Sequence, residues 1–378
     1  MNNNIDFEDI RPYSDNEVQA AINRITADKN FPIVLKYIVP NANEEQYREK
    51  IKSINTVYDF QTKVMFNAIN AITNKTSNGV TTKGFEKLKN EKSYMFISNH
   101  RDIVLDSALF QIQLYQNRLK TSEITFGDNL MISQFIIDIG KLNKMFQIKR
   151  NGTLREIFIN SLKISNYMRY AITEKKESTW IAQRNGRTKD GNDKTIEAVL
   201  KMFAMSSKKN FVENLNELSI TPIAISYEYE PCDALKTQEI YISRRENYVK
   251  AKNEDLNSIL TGIYQQKGKI SIAVCDTITN DELILCNDLH KTDKFTYLAN
   301  IIDKRIYSNY QLWKTNYIAY DLIKESDIFS DQYTIDEKFD FIKYMDKSLK
   351  NLKGDEKELQ DIFLSIYANS VVNKLNFL

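Results

Sequence analysis

Residues 93–110 read SYMFISNHRDIVLDSALF, and the change of texture inside them decides the fold. SYMFIS (93–98) is a short apolar run of strand character, bounded by charged and polar residues. NHRD (99–102) is a polar turn, and from Asp106 the segment DSALFQIQLYQNRL (106–119) places apolar residues at helical spacing. A strand that runs through a polar turn into a helix is the opening of an α/β unit.

The pattern recurs on both sides. VTTKGF (80–85), EITFG (123–127), FQIKR (146–150), STWIA (178–182), ITPIAISYE (220–228) and KISIAVC (269–275) read as strands. MISQFIIDIGKL (131–142), LREIFINSLKISNYMRYAIT (154–173), KTIEAVLKMFAM (194–205) and NEDLNSILTGIYQQ (253–266) read as helices between them. The alternation predicts an α/β domain over residues 80–285, its sheet mixed, mostly parallel and flanked by helices. Residues 1–79 read as an N-terminal helical extension. In it Asp15 is placed to cap EVQAAINRI (17–25), and IKSINTVYDFQTKVMFNAINAIT (51–73) has helical periodicity. Residues 286–378 return to helix as a C-terminal segment packed on the domain: KFTYLANIIDKRIYSNY (294–310), EKFDFIKYMDKSLKNL (337–352) and EKELQDIFLSIYANSVVNKLN (356–376).

Composition narrows the function. Lys and Arg number 52 against 50 Asp and Glu, which argues against a nucleic-acid binder with its basic excess. Three scattered cysteines suit neither a disulfide framework nor a zinc site and fit a reducing, cytoplasmic compartment. The N-terminus lacks the charged-then-apolar order of a secretory signal, and no stretch approaches the roughly 18 uninterrupted apolar residues of a membrane span.

Four blocks carry chemistry. His100 follows a strand, where active sites of α/β sheets collect, with Asp102 and Asp106 within six residues. A carboxylate on one imidazole nitrogen leaves the other as a base of defined tautomer. Two aspartates compete for that role: Asp106 lies where the helix begins and can point back to the strand end. Asp102 is nearer in sequence and suited to capping, so Asp106 is the expected partner. HRD also opens the protein-kinase catalytic loop, but Ser107 stands where that loop needs Asn, and no DFG follows. The second block, FQIKR, ends in Lys149 and Arg150 just before a helix start near Gly152, a combination suited to an anion. In the third, WIAQRNGRTKDGND (180–193), Arg184, Arg187 and Lys189 lie among Gly186 and Gly191, as in a phosphate-gripping turn. The fourth, SITPIAISYEYEP (219–231), is an apolar strand with Pro222 near its start, and proline in a strand marks an edge or an entry position.

Taken in order, these blocks resemble the bacterial glycerolipid acyltransferase superfamily, within it the branch acylating glycerol 3-phosphate or 1-acylglycerol 3-phosphate. The family's His-x4-Asp corresponds to His100 and Asp106, with one residue more between them. Its Phe-Ile-x-Arg strand corresponds to Phe146–Arg150, and its Glu-Gly-(Gly/Thr)-Arg-Ser turn to Asn185-Gly186-Arg187-Thr188. Its proline block corresponds to Pro222–Glu228. The family's glutamate in this block is replaced by Arg184, so its role is absent or supplied elsewhere. The resemblance spans roughly residues 80–280 and implies an O-acyltransferase with a groove for the acyl chain. It implies His100 as general base, oriented by Asp106 or Asp102. It implies Lys149, Arg150, Gly186, Arg187 and Lys189 on the substrate phosphate, and Phe146, Thr188 and Pro222 along the substrate pocket. Acyl-CoA or acyl-carrier protein would be the donor, with no metal and no bound cofactor. Peripheral contact with the inner face of the membrane is expected because the implied product is a lipid. Other acceptors, lysophosphatidate or an aminolipid precursor, and a catalytically silent acyl-binding relative stay open.

Overall fold

The structure, a computed structural model, describes residues 5–40, 42–149, 152–290 and 293–377. Seven strands form one sheet: β1 (Val80–Lys83), β2 (Met95–Ser98), β3 (Glu123–Gly127), β4 (Met145–Ile148), β5 (Thr179–Ala182), β6 (Ile220–Tyr227) and β7 (Ile270–Val274). Their order across the sheet is β1-β7-β6-β2-β5-β3-β4. Every pairing is parallel except β6 with β7. This is the mixed, mostly parallel sheet expected from the alternation of short apolar runs and amphipathic helices, with helical segments at both ends.

Side chains alternate across a strand, and both faces of this sheet are covered. On β2, Met95 and Ile97 pack against the helices Leu154–Thr173, Glu197–Ala204 and Lys294–Asn309 through Ile164, Leu200 and Ile302. Phe96 faces the other way, onto Ile69 and Ile72 of the Phe66–Thr76 helix and Leu109 and Phe110 of the Leu105–Gln116 helix. Two covered faces explain why the central strands are apolar at nearly every position rather than at alternate ones. The chain leaves β2 on one side toward β5, β3 and β4 and returns on the other as β6. Sites in such sheets gather outside the carboxyl ends of strands, where the order reverses. That places the turn after β2 at the centre of interest.

Pro222 lies inside the sheet rather than at an edge, paired with Ile97 of β2. Its carbonyl accepts from Cys275 N at 2.9 Å, just beyond the end of β7. In an extended strand a residue's N–H and C=O point to the same side, so the missing donor faces the end of the β6–β7 ladder and not a rung to β2.

The N-terminal helices also differ from expectation in detail. Ser14, not Asp15, caps the first helical turn, in a capping box with Glu17. Asp15 instead accepts from Val57 N at 2.8 Å, at the start of a later helix. The segment 51–73 is not one helix: it breaks after Ser53 and resumes at Val57, running through a π-helical turn at Phe60–Met65 into Phe66–Thr76. Toward the other end, Lys314–Lys324, Ile335–Leu349 and Glu356–Phe377 build a separate apolar cluster around Ile318, Phe341, Phe363 and Tyr367. No described helix is long and apolar enough to cross a membrane.

Candidate functional site

β2 ends at Ser98, and the chain turns through Asn99–Asp102 before the helix Leu105–Gln116. Asn99 splices this turn onto β6: its Nδ2 donates to Ile225 O and its Oδ1 accepts from Ile225 N, both at 2.8 Å. The two side-chain bonds act as an extra rung and fix where the next residue, His100, emerges. His100 Nδ1 lies 2.9 Å from Asp106 Oδ2. The same Oδ2 accepts the backbone N–H groups of Arg101 (2.6 Å) and Asp102 (3.0 Å), while Oδ1 accepts from the Tyr227 hydroxyl at 2.6 Å. Burial works against the Asp106 charge, yet the bonds from His100, Tyr227 and the backbone outweigh it and hold its pKa below the usual carboxylate value. An ionised Asp106 accepts from Nδ1–H, which leaves Nε2 as the basic nitrogen of the ring. Trp180 of β5 stands edge-on to the imidazole, centroids 5.9 Å apart, and limits its rotation.

Asp102 has a different position. Its Oδ1 accepts from Val104 N (2.9 Å) and Leu105 N (2.8 Å) and so caps the helix that carries Asp106. Its Oδ2 is buried with no hydrogen-bond partner among the described residues. Burial, and then the neighbouring Asp106 charge, push the Asp102 pKa up. A Cβ on Gly262, in the helix Glu254–Tyr264, would come within 2.1 Å of that Oδ2, so glycine is what lets this helix approach the turn.

Arg101, between the two, was not singled out by its sequence. It is buried and bonds through Nε to Asp193 (2.8 Å), through Nη1 to Glu230 (3.1 Å), and through Nη2 to Gly191 O (3.3 Å) and Ser370 (3.1 Å). Lys236 completes the cluster, donating to Arg101 O at 2.9 Å and to Glu230 at 2.5 Å. Burial opposes the Arg101 charge, but Asp193 and Glu230 prevail and raise its pKa. The cluster joins the catalytic-type turn to the Asp233–Ser243 helix and, through Ser370, to the C-terminal helix Glu356–Phe377. No local signal announces it, because its members lie up to 269 residues apart.

The turn after β5 docks against this one. Thr188 N donates to His100 O at 2.8 Å, and the buried Thr188 hydroxyl bonds to Asp193. Gly191 has φ +74°, and a Cβ there would strike Ile366 O at 2.0 Å. Gly186 has φ +78° with open space around it. Arg187 is 8% exposed, and its Nη1 is buried with no hydrogen-bond partner among the described residues. Its charge reaches Asp102, Cys232 and Asp255; burial still leaves Asp102 and Cys232 raised, while Asp255, which also has Lys250 and Asn129 beside it, is held low despite its burial. A buried guanidinium nitrogen without a partner is costly unless a ligand completes it. Lys189 is committed to an ion pair with Glu239.

An apolar cavity of about 190 Å³ opens behind the helix Leu105–Gln116. Val104, at the end of the turn that carries His100, and Ala108 contribute to its wall. The π-helical turn contributes Gln61 and Met65, and Leu256 and Ile259 close it from the helix that carries Gly262.

Several residues fall elsewhere. Arg150 lies outside the described residues. Lys149 follows β4, the edge strand three places from β2, or roughly 14 Å away at strand spacing. It is half exposed and 3.9 Å from Asp9. The helix N-terminus beside it is already countered: Glu156 accepts from Thr153 N at 2.7 Å and from Thr153 Oγ1 at 2.8 Å. Phe146 is fully buried against Tyr167, ring centroids 5.0 Å apart, on the face opposite its neighbour Met145, which does line the cavity. Pro222 is likewise interior to the sheet. His290, the other histidine, is exposed between the helices Asn280–Asn287 and Lys294–Asn309. Among the described residues no group of three His, Cys, Asp or Glu side chains is placed to hold a metal ion.

No family model matches the sequence, and no curated protein matches it. Among solved structures, the chain is similar to the 1-acyl-sn-glycerophosphate (LPA) acyltransferase PlsC from Thermotoga maritima. The identity is 11% and the TM-score 0.37, over 78% of this chain and 95% of that one.

Proposed function

We propose that the protein is an O-acyltransferase that moves a fatty acyl group from a thioester, acyl-CoA or acyl-carrier protein, to a hydroxyl of a phosphorylated glycerol. The observation that carries this reading is the meeting, at one turn, of an Asp106-held His100 with a buried Arg187 whose Nη1 has no hydrogen-bond partner among the described residues, and the wall of an apolar cavity. Base, anion site and acyl site are the three elements the reaction needs.

In the mechanism, Nε2 of His100 takes the proton of the acceptor hydroxyl as its oxygen attacks the thioester carbonyl carbon. Asp106 stabilises the imidazolium so formed. The tetrahedral intermediate collapses with loss of the thiolate, which takes the proton back from Nε2. The donor and acceptor exchange one acyl group for one proton, and His100 ends as it began. Arg187 binds the acceptor phosphate through its unpartnered Nη1, aided by the open backbone at Gly186. The cavity takes the acyl chain, where each buried methylene contributes about 0.8 kcal/mol. Holding both substrates beside one base supplies much of the acceleration.

A turnover assay offering glycerol 3-phosphate and lysophosphatidate, each with acyl-CoA and acyl-carrier protein, tests the proposal. Transfer to at least one phosphorylated acceptor is expected. Saturable thioester binding without transfer to any acceptor would make the protein a silent acyl binder instead.

A further inference from the structure

The first turns of the helix Leu154–Thr173 stand clear of the molecule. Every residue from Gly152 to Ile159 is exposed, whereas from Ile164 onward the helix is buried on its sheet side. The exposed part is apolar: Leu154 is 88% exposed, Phe158 60%, Ile159 52% and Ile157 41%. Leu154, Ile157 and Phe158 fall at i, i+3 and i+4 and share one face.

Charge distinguishes this patch from other exposed apolar residues. Within residues 149–163 the sequence carries Lys149, Arg150, Arg155 and Lys163 against one acidic residue, Glu156, which the Thr153 cap already engages; from outside this stretch Asp9 pairs with Lys163 at 2.6 Å and lies 3.9 Å from Lys149. Ile335 and Phe339, at 74% and 67% exposure, form an equally bare pair at the same spacing on another helix. Over the matching residues 330–344, Asp331, Asp336, Glu337 and Asp340 outnumber Lys338 and Lys343. The two pairs are alike in apolar exposure and opposite in electrical setting.

We infer that the projecting end of the Leu154–Thr173 helix is a membrane-docking element, which inserts Leu154, Ile157 and Phe158 into the interface of an anionic lipid surface while the basic residues beside them meet headgroups. Apolar side chains on one face with cations alongside are what interfacial helices use. The element follows β4, whose carboxyl end lies on the same rim as that of β2, through the parallel pairings β2–β5, β5–β3 and β3–β4. Docking would therefore turn the His100 rim toward the lipid. Vesicle binding requires no turnover, so the inference stands apart from the acyl-transfer reading.

The full chain is to be sedimented with phosphatidylcholine vesicles containing phosphatidylglycerol, and with pure phosphatidylcholine vesicles. Binding to the anionic vesicles is expected, and Leu154→Gln with Phe158→Gln should weaken it about tenfold or more. Ile335→Gln with Phe339→Gln should change it less than twofold, at unchanged melting temperature in both cases. Arg155→Gln should weaken binding to anionic vesicles about fivefold and spare neutral ones. The inference is overturned if the unmodified chain stays in the supernatant, or if the two double variants bind alike. It is also overturned if the Leu154/Phe158 variant loses oligomeric mass, since the patch would then cover a second copy of the chain.

Discussion

The turns after β4 and β5 look alike in sequence, each a strand running into basic residues and a glycine, yet they have opposite fates. The β5 turn sits beside β2 at the centre of the sheet: Thr188 bonds to His100 O, and Arg187 is buried with its Nη1 unpartnered among the described residues. The β4 turn is at the sheet edge, where Lys149 is half exposed near Asp9 and the following helix start is satisfied by Glu156. The difference teaches that a basic turn's surroundings are set by its place in strand order. Central strands lend it burial and unsatisfied donors; an edge leaves it to water and surface partners.

The interior turn should be sensitive and the edge turn tolerant. The largest effects are expected at the base: His100→Ala and Asp106→Asn should each lower kcat by about 10²-fold or more while the protein stays folded. Asp102→Asn, which keeps the cap on Leu105 N, should leave the rate near normal. Loss of turnover in Asp102→Asn alone would move the orienting role to the wrong aspartate and break the interior account.

Next comes the buried charge cluster. Arg101→Met leaves Asp193 without its guanidinium partner and Glu230 with Lys236 alone, and should cost about 3–5 kcal/mol in urea unfolding. A cost under 1 kcal/mol would mean that the cluster does not tie the C-terminal helix to the turn.

Lys267 gives a pH signature on the same side of the molecule. Burial pulls its pKa from 10.5 down to about 8. Below pH 8 the lysine is charged in both folded and unfolded chains, so the full cost of burying the charge weighs on the fold. As pH rises from 8 to 10.5 the folded form sheds the proton first, and the cost disappears. Lys267→Met should therefore gain up to about 3 kcal/mol at pH 7, less the bonds to Thr76 and Gln265, and the gain should vanish above pH 10.5. A gain independent of pH would contradict the burial account.

Much of the fold was legible because its signals are local. Six of the seven strands are apolar runs, β1 (VTTK) being polar but β-branched; all seven are found within a few residues of their expected bounds, and the Leu154–Thr173 helix matches its expected span. Strand order was not legible, since no residue in FQIKR or STWIA states which neighbour it pairs with. That is why Lys149 and Arg187 read as equals. Ser14 and Asp15 are both capping residues, and only the fold gives the helix at Val57 its claim on Asp15. Arg101 carries no signal in its local sequence because its partners Asp193, Glu230 and Ser370 come from distant segments.

The central claim is that the interior turn, not the edge turn, holds the acceptor phosphate beside the His100 base. The most direct test is the KM for glycerol 3-phosphate, or for whichever phosphorylated acceptor turns over, in Arg187→Ala and Lys149→Ala. Losing a charge-assisted bond costs about 1.5–3 kcal/mol, so Arg187→Ala should raise the acceptor KM about tenfold or more with the thioester KM nearly unchanged. Lys149→Ala should change either constant less than about twofold, as for an exposed ion pair. Equal defects in the two variants, or an Arg187 defect shared between acceptor and donor, would contradict the claim.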